Sequence, residues 1–230
     1  MKIALIGYGV MGKLVETAAQ RRGYEICAQI DTNVDLDAQG FAERIVEADA
    51  AIDFSHASAV ARSVEACCLA RVPLIEGTTG WNSQLDEIEQ VVTQHRGTLV
   101  YAANFSIGVN LFYRIAEFAA ELFSKFDEYE AFIEERHHSR KVDAPSGTAL
   151  KIKEIVAVHN FEDVSVSATR AGNIPGSHLL GFDGVTDQVV LQHTARSREG
   201  FALGAVTAAE WAIGKNGVFE WTQVIDEILG

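Results

Sequence analysis

A short apolar run over residues 2–6 ends directly in Gly7-Tyr8-Gly9-Val10-Met11-Gly12, and a helical pattern follows to about residue 22, stopping at Gly23. A strand that becomes a helix through G-x-G-x-x-G commits the chain to a βαβ unit, and through it to a parallel sheet. The first glycine permits the tight turn, the second lets a pyrophosphate approach the backbone, and the third lets helix and strand pack closely. A second strand over residues 25–30 ends at Asp31. An acid there accepts hydrogen bonds from ribose hydroxyls and repels a 2′-phosphate, and Thr32 after it adds no compensating cation. The expected cofactor is therefore a nicotinamide dinucleotide, with NADH favoured and NADPH possible.

The alternation continues as a strand at 50–54, a helix at 57–70, a strand at 73–76, a helix at 83–95 and a strand at 98–102. Repeated strand–helix units predict an α/β fold, a Rossmann-like doubly wound parallel sheet covered on both faces. After Asn104 the texture changes. A helix from 110 to about 126 leads into a strand at 128–135. A further helix runs to about 158, followed by alternating segments at 164–169, 178–182 and 188–195. These predict a second, α+β domain. Helical patterns at 201–213 and 218–229 close the chain. The expected division is a dinucleotide-binding domain over 1–105, completed by about 200–230, and a substrate-binding and oligomerisation domain over 106–199.

Composition excludes several functions. Nineteen Lys and Arg against 32 Asp and Glu give a formal charge of −13, which disfavours a phosphate-tracking nucleic-acid partner. No apolar stretch approaches membrane-spanning length, and the N-terminal apolar run stops at Gly7, too early for a signal peptide. Cys27, Cys67 and Cys68 form neither a CxxC pair nor an even framework. Cys67 and Cys68 sit in an apolar helical run, so buried, inert thiols are expected there, and a reducing cytoplasm fits.

The chemistry concentrates in His137-His138-Ser139-Arg140-Lys141-Val142-Asp143-Ala144-Pro145-Ser146-Gly147-Thr148. Two imidazoles and an amine can carry or donate protons and hold an anion. Pro145 and Ser146 read as a helix start, with Gly147 and Thr148 in its first turn. The N–H groups of that turn, at the positive end of the helix dipole, suit a carboxylate or phosphate. In an extended segment the two histidines point to opposite sides, so one can act as acid while the other binds or packs. No metal is expected: adjacent histidines are not a usual chelating spacing, and the lysine repels a cation.

This run resembles the signature of the 4-hydroxy-tetrahydrodipicolinate (dihydrodipicolinate) reductase family of lysine and diaminopimelate biosynthesis. The segments Asn104-Phe105-Ser106-Ile107-Gly108-Val109-Asn110 and Arg170-Ala171-Gly172-Asn173-Ile174-Pro175-Gly176-Ser177-His178 are similar to family segments as well. The resemblance implies NAD(P)H-dependent reduction of a small cyclic dicarboxylate. It gives His137 the position of proton donor or acceptor and Lys141 that of a second proton donor facing substrate. Substrate-binding positions fall on His138, Gly147 and Thr148. Gly77-Thr78-Thr79 and Ala102-Ala103-Asn104-Phe105 line the nicotinamide half. A homotetramer joined through the second domain is implied too. The chain departs from many relatives at Val10 and Thr32, where they carry arginine. Two rivals share the glycine loop: a different two-domain dehydrogenase, which needs no His-His-x-x-Lys run, and a non-catalytic dinucleotide sensor, which tolerates its loss.

Overall fold

The computed structural model describes residues 1–31 and 36–230. Thr32 lies outside the described residues. The chain divides into two compact units, Met1–Ile107 with Glu199–Gly230, and Gly108–Arg198.

In the first unit, β1 (Lys2–Ile6), β2 (Glu25–Ile30), β3 (Ala50–Asp53), β4 (Leu74–Glu76), β5 (Thr98–Tyr101) and β10 (Gly217–Glu220) form one parallel sheet in the order β10-β5-β4-β3-β1-β2. The predicted doubly wound fold is present. Side chains alternate along β1, so Ile3 and Leu5 enter one core and Ala4 and Ile6 the other. Helices α1 (Val10–Arg21), α7 (Glu199–Ala212) and α8 (Trp221–Leu229) cover the first face. Helices α2 (Ala38–Ile45), α3 (Val60–Ala70) and α4 (Leu85–His95) cover the second. Sheets buried on both sides read as continuous apolar runs, and β3 is buried throughout.

Two elements differ from the sequence reading. Helix α2 occupies a stretch that had no element in it; Asp37 caps it, accepting from the Gly40 amide at 2.8 Å. The predicted closing helix at 218–229 is divided, because Gly217–Glu220 pairs in parallel with β5 as an edge strand. Glu220 then starts α8 through a reciprocal capping box with Gln223.

The second unit holds α5 (Ile107–Phe123), β6 (Glu130–His137), α6 (Gly147–Ala157), β7 (Ser165–Arg170), β8 (Ser177–Asp183) and β9 (Gln188–Thr194). Its sheet has the order β7-β6-β8-β9, with β7 parallel to β6 and the other pairings antiparallel. Ile133, Leu180 and Phe182 pack with Phe112 and Ala116 of α5 and Ile152 of α6. Among the described residues no helix is long and apolar enough to cross a membrane.

Candidate active site

The strand period that builds β6 also builds the site. Ile133, Glu135 and His137 alternate with outward residues, so all three turn to the buried face. Glu135 is 1% exposed and His137 8%. Burying a carboxylate is costly unless its lone pairs are filled, and these are. Oε1 accepts from Arg170 Nη2 at 2.6 Å and from the Ser146 amide at 3.1 Å. Oε2 accepts from Arg170 Nη1 at 2.9 Å and makes a short hydrogen bond with Nδ1 of His137. Burial alone pushes the Glu135 carboxyl up; the bonds from Arg170 and His137 overcome it and hold the group below the usual carboxylate range. Arg170 stands opposite His137 in the β6–β7 register and also donates to the Asp143 carbonyl at 2.5 Å.

Helix α6 begins where the sequence placed it, with Ser146 as N-cap accepting from the Ala149 amide at 3.3 Å. The Ser146 amide is already taken by Glu135. The amides of Gly147 and Thr148 are left with no intrahelical acceptor, by the geometry of any helix start. A Cβ at Gly147 would meet nothing within 4 Å, so its backbone can be approached closely. The Thr148 hydroxyl contacts the phenol of Tyr113.

Ser146 Oγ also bonds Nε2 of His178 at 3.0 Å, and the His178 ring meets that of His137 edge-on at 5.0 Å. Burial and the neighbouring His137 push His178 down to about 4, which keeps it neutral. His138 is half-buried, its proton affinity lowered by burial and by Arg140 and Arg198. Lys141 Nζ rests on Asp143 Oδ1 at 2.8 Å. The segment is tied down by Ser139, whose amide donates to the Gly172 carbonyl at 3.2 Å, and by Arg140 on Asn173 Oδ1 at 3.1 Å.

Glu135, His137 and His178 could geometrically share a cation, since their ligand atoms lie within 4.8 Å of one another. Arg170 already fills both carboxylate oxygens, and a guanidinium beside the site repels a metal. A cavity of about 820 Å³ lies at the other end of β6, lined by Asp127, Glu130, Glu162, Asp163 and Asp183 among others. That much negative charge disfavours a dicarboxylate there.

In the first unit, Gly7–Gly12, Gly77–Thr79 and Ala102–Phe105 all leave the carboxyl edge of parallel strands, after β1, β4 and β5. The sheet reverses its order beside β1, the switch point where open α/β sheets take ligands. Gly7 has φ +77°, and a Cβ there would come 2.8 Å from the Phe54 carbonyl. A Cβ at Gly12 would strike the Gly7 carbonyl at 2.4 Å, whereas one at Gly9 meets nothing within 4 Å. The loop is thus tight where helix meets strand and open where a pyrophosphate would lie. These residues fit a dinucleotide. Tyr8 bonds Glu16, Val10 is exposed and Asp31 is exposed at the end of β2. Thr78 accepts from the Ser55 amide at 3.1 Å and its own amide donates to Glu76 Oε1 at 2.7 Å; the Ser106 amide caps back onto Asn104 at 2.9 Å.

Below the Thr78 loop, Asp53 and Glu76 face each other across β3 and β4, both fully buried. Burial raises both carboxyls, and the Asp53 charge raises Glu76 further. Asp53 Oδ2 and Glu76 Oε2 have no partner as ionised groups, so one proton held between them satisfies both.

Glu135 and Arg170 were not among the candidates from sequence. The available signal was period two: Glu135 shares the strand face of His137.

The dihydrodipicolinate reductase N-terminal family model matches residues 1–105, and the C-terminal model of the same family matches residues 108–225. The chain belongs to the dihydrodipicolinate reductase family. Membership places it among the nicotinamide-dependent reductases of lysine and diaminopimelate biosynthesis, as the sequence resemblance implied. The 4-hydroxy-tetrahydrodipicolinate reductase of Christiangramia forsetii is 33% identical, covering 100% of this chain and 99% of the relative. That of Acinetobacter baumannii is 32% identical, covering 93% and 92%. The fold is similar to a dipicolinate-bound dihydrodipicolinate reductase from Paenisporosarcina sp. TG-14, with a TM-score of 0.81, 21% identity and coverage of 96% and 97%.

Proposed function

We propose that this chain reduces 4-hydroxy-tetrahydrodipicolinate to tetrahydrodipicolinate with a nicotinamide cofactor held by the first unit and the substrate held by the second. One observation carries the reading: a histidine ring and the N-terminus of α6 are joined to the two oxygens of a single buried carboxylate. A proton donor and an anion-binding helix start are thereby built as one rigid piece.

The 4-hydroxyl of the substrate leaves as water to give the conjugated dihydrodipicolinate, and the cofactor, when bound, supplies hydride to a conjugated carbon of it. The chain's residues do the rest. His137 delivers a proton from Nε2 to the neighbouring carbon. Gly147 and Thr148 present their amides to one substrate carboxylate, and His138 adds a contact. Lys141 leaves Asp143 for a substrate carboxylate, lowering the cost of bringing a dianion to the site, and acts as the second proton donor. The Gly7–Gly12 loop receives the pyrophosphate.

Asp31 supports a preference for NADH, with NADPH as the weaker alternative, through ribose hydrogen bonds and repulsion of a 2′-phosphate. Asp31→Ala is expected to weaken NADH binding, measured by fluorescence titration, and Thr32→Arg to improve NADPH by offering its phosphate a fork of donors. A wild-type enzyme that strongly prefers NADPH sinks this electrostatic argument. The reading also includes a homotetramer joined through the second unit, in the cytoplasm, with no nucleic-acid or membrane partner. The activity itself is tested by generating the substrate in situ with the preceding synthase and following loss of NADH absorbance. No synthase-dependent oxidation of NADH or NADPH would refute the assignment.

A further inference from the structure

Glu135 has four donors around two oxygens: two from Arg170, one from the Ser146 amide and one from His137 Nδ1. A carboxylate offers about four lone-pair sites, so this one is saturated and has no role left but acceptor. Nδ1 of His137 must then carry a hydrogen. In the neutral imidazole Nε2 is bare, and in the charged ring the transferable proton sits on Nε2. The Nε2 side is kept open by Gly176, where a Cβ would approach Nε2 to 3.1 Å. A bidentate arginine alone would pin Glu135 as a staple between β6 and β7; the imidazole on the same carboxylate is an addition that a staple does not require.

We propose that Glu135 is a positioning residue of the reaction, fixing the tautomer and ring plane of His137 while Arg170 and the α6 amide fix Glu135. This rests on the reading of His137 as proton donor. The proton balance is simple. Nε2–H is given to substrate carbon, the ring becomes neutral with Nδ1–H still on Glu135, and no proton passes to the carboxylate.

The test combines nitrogen NMR of histidine-labelled enzyme with a double-mutant cycle. In wild type, the neutral His137 ring is expected to show a protonated Nδ1 and a bare Nε2. The opposite tautomer overturns the proposal, whether or not any variant folds. In Glu135→Gln the amide has to offer N–H to one pair of donors. The His137 side yields most readily because its ring can exchange tautomers. The expected result is a reversed tautomer, kcat lower by on the order of 10²-fold, and unchanged NADH affinity. In a His137→Gln background, Glu135→Gln is expected to cost nothing further. An equal loss in both backgrounds, or a folded Glu135→Gln enzyme with normal kcat while His137→Gln is impaired, overturns this proposal alone. A His137→Gln enzyme with normal kcat sinks the donor reading, and the present one with it.

Discussion

His137, Lys141 and Thr148 each touch a different stage of the reaction, and kinetics can separate them. Loss of a general acid acts on the chemical step, so His137→Gln is expected to cut kcat by roughly 10²–10⁴-fold. NADH binding, by fluorescence titration, is expected to be unchanged, because the glycine loop belongs to the first unit. Lys141→Ala is expected to lower kcat and raise KM together, since its charge serves the bound substrate as well as the transition state. Thr148→Ala acts mainly on KM: the α6 amides persist, and the hydroxyl lost is one that contacts Tyr113. At this scale the sequence was informative where chemistry is written in adjacent residues. His137, Ser146 and the first turn of α6 were legible because the motif is local. Arg170 was not legible, because its place opposite His137 depends on β6 pairing with β7 in one register. Nor was the Lys141–Asp143 ion pair, which is a matter of rotamer rather than pattern.

Elements with strong periodicity or clear punctuation could be read directly; β1 and β2 match the reading residue for residue. Helix α2 escaped because eight residues give scarcely two turns of pattern. Strand β10 escaped because three half-buried residues and the exposed Glu220, adjoining α8, extend an apolar run, and only the exposed edge of β5 makes them a strand. The ends of β3 and β4 carry a consequence for stability. Glu76 keeps its proton in the fold well above the ordinary carboxyl value of 4.5, while in the unfolded chain it ionises normally. A raised folded value means the stabilisation is complete below that ordinary value and is lost as pH rises towards the folded one. Alkaline conditions therefore weaken the first unit. Glu76→Gln removes the ionisation and leaves an amide able to donate to Asp53. The expected outcome is a melting temperature that falls less between acidic and alkaline pH than in wild type. A wild-type melting temperature that rises with pH at an unchanged slope in the variant would show that Glu76 is ionised in the fold.

For the whole molecule, the second unit's sheet has one face filled by α5 and α6, through Ile133, Leu180 and Leu191. By strand alternation their neighbours turn the other way. The register aligns Phe132 with Gly181 and Gly181 with Val190, and the Phe132 ring lies over the glycine. Val190 is 42% exposed at the end of that row, on edge strand β9. An apolar row ending at an open strand edge is the kind of surface a second copy covers, with its own row and its own edge. The homotetramer is proposed to form there. Light scattering at micromolar concentration is expected to give four times the chain mass for wild type. Val190→Glu sets a charge in each copy of the shared face, where burial would strip it of its water. The variant is expected to fall to dimers or monomers while its folded far-ultraviolet signal persists. A monomeric wild type, or a variant that stays tetrameric, would move the assembly surface off this sheet.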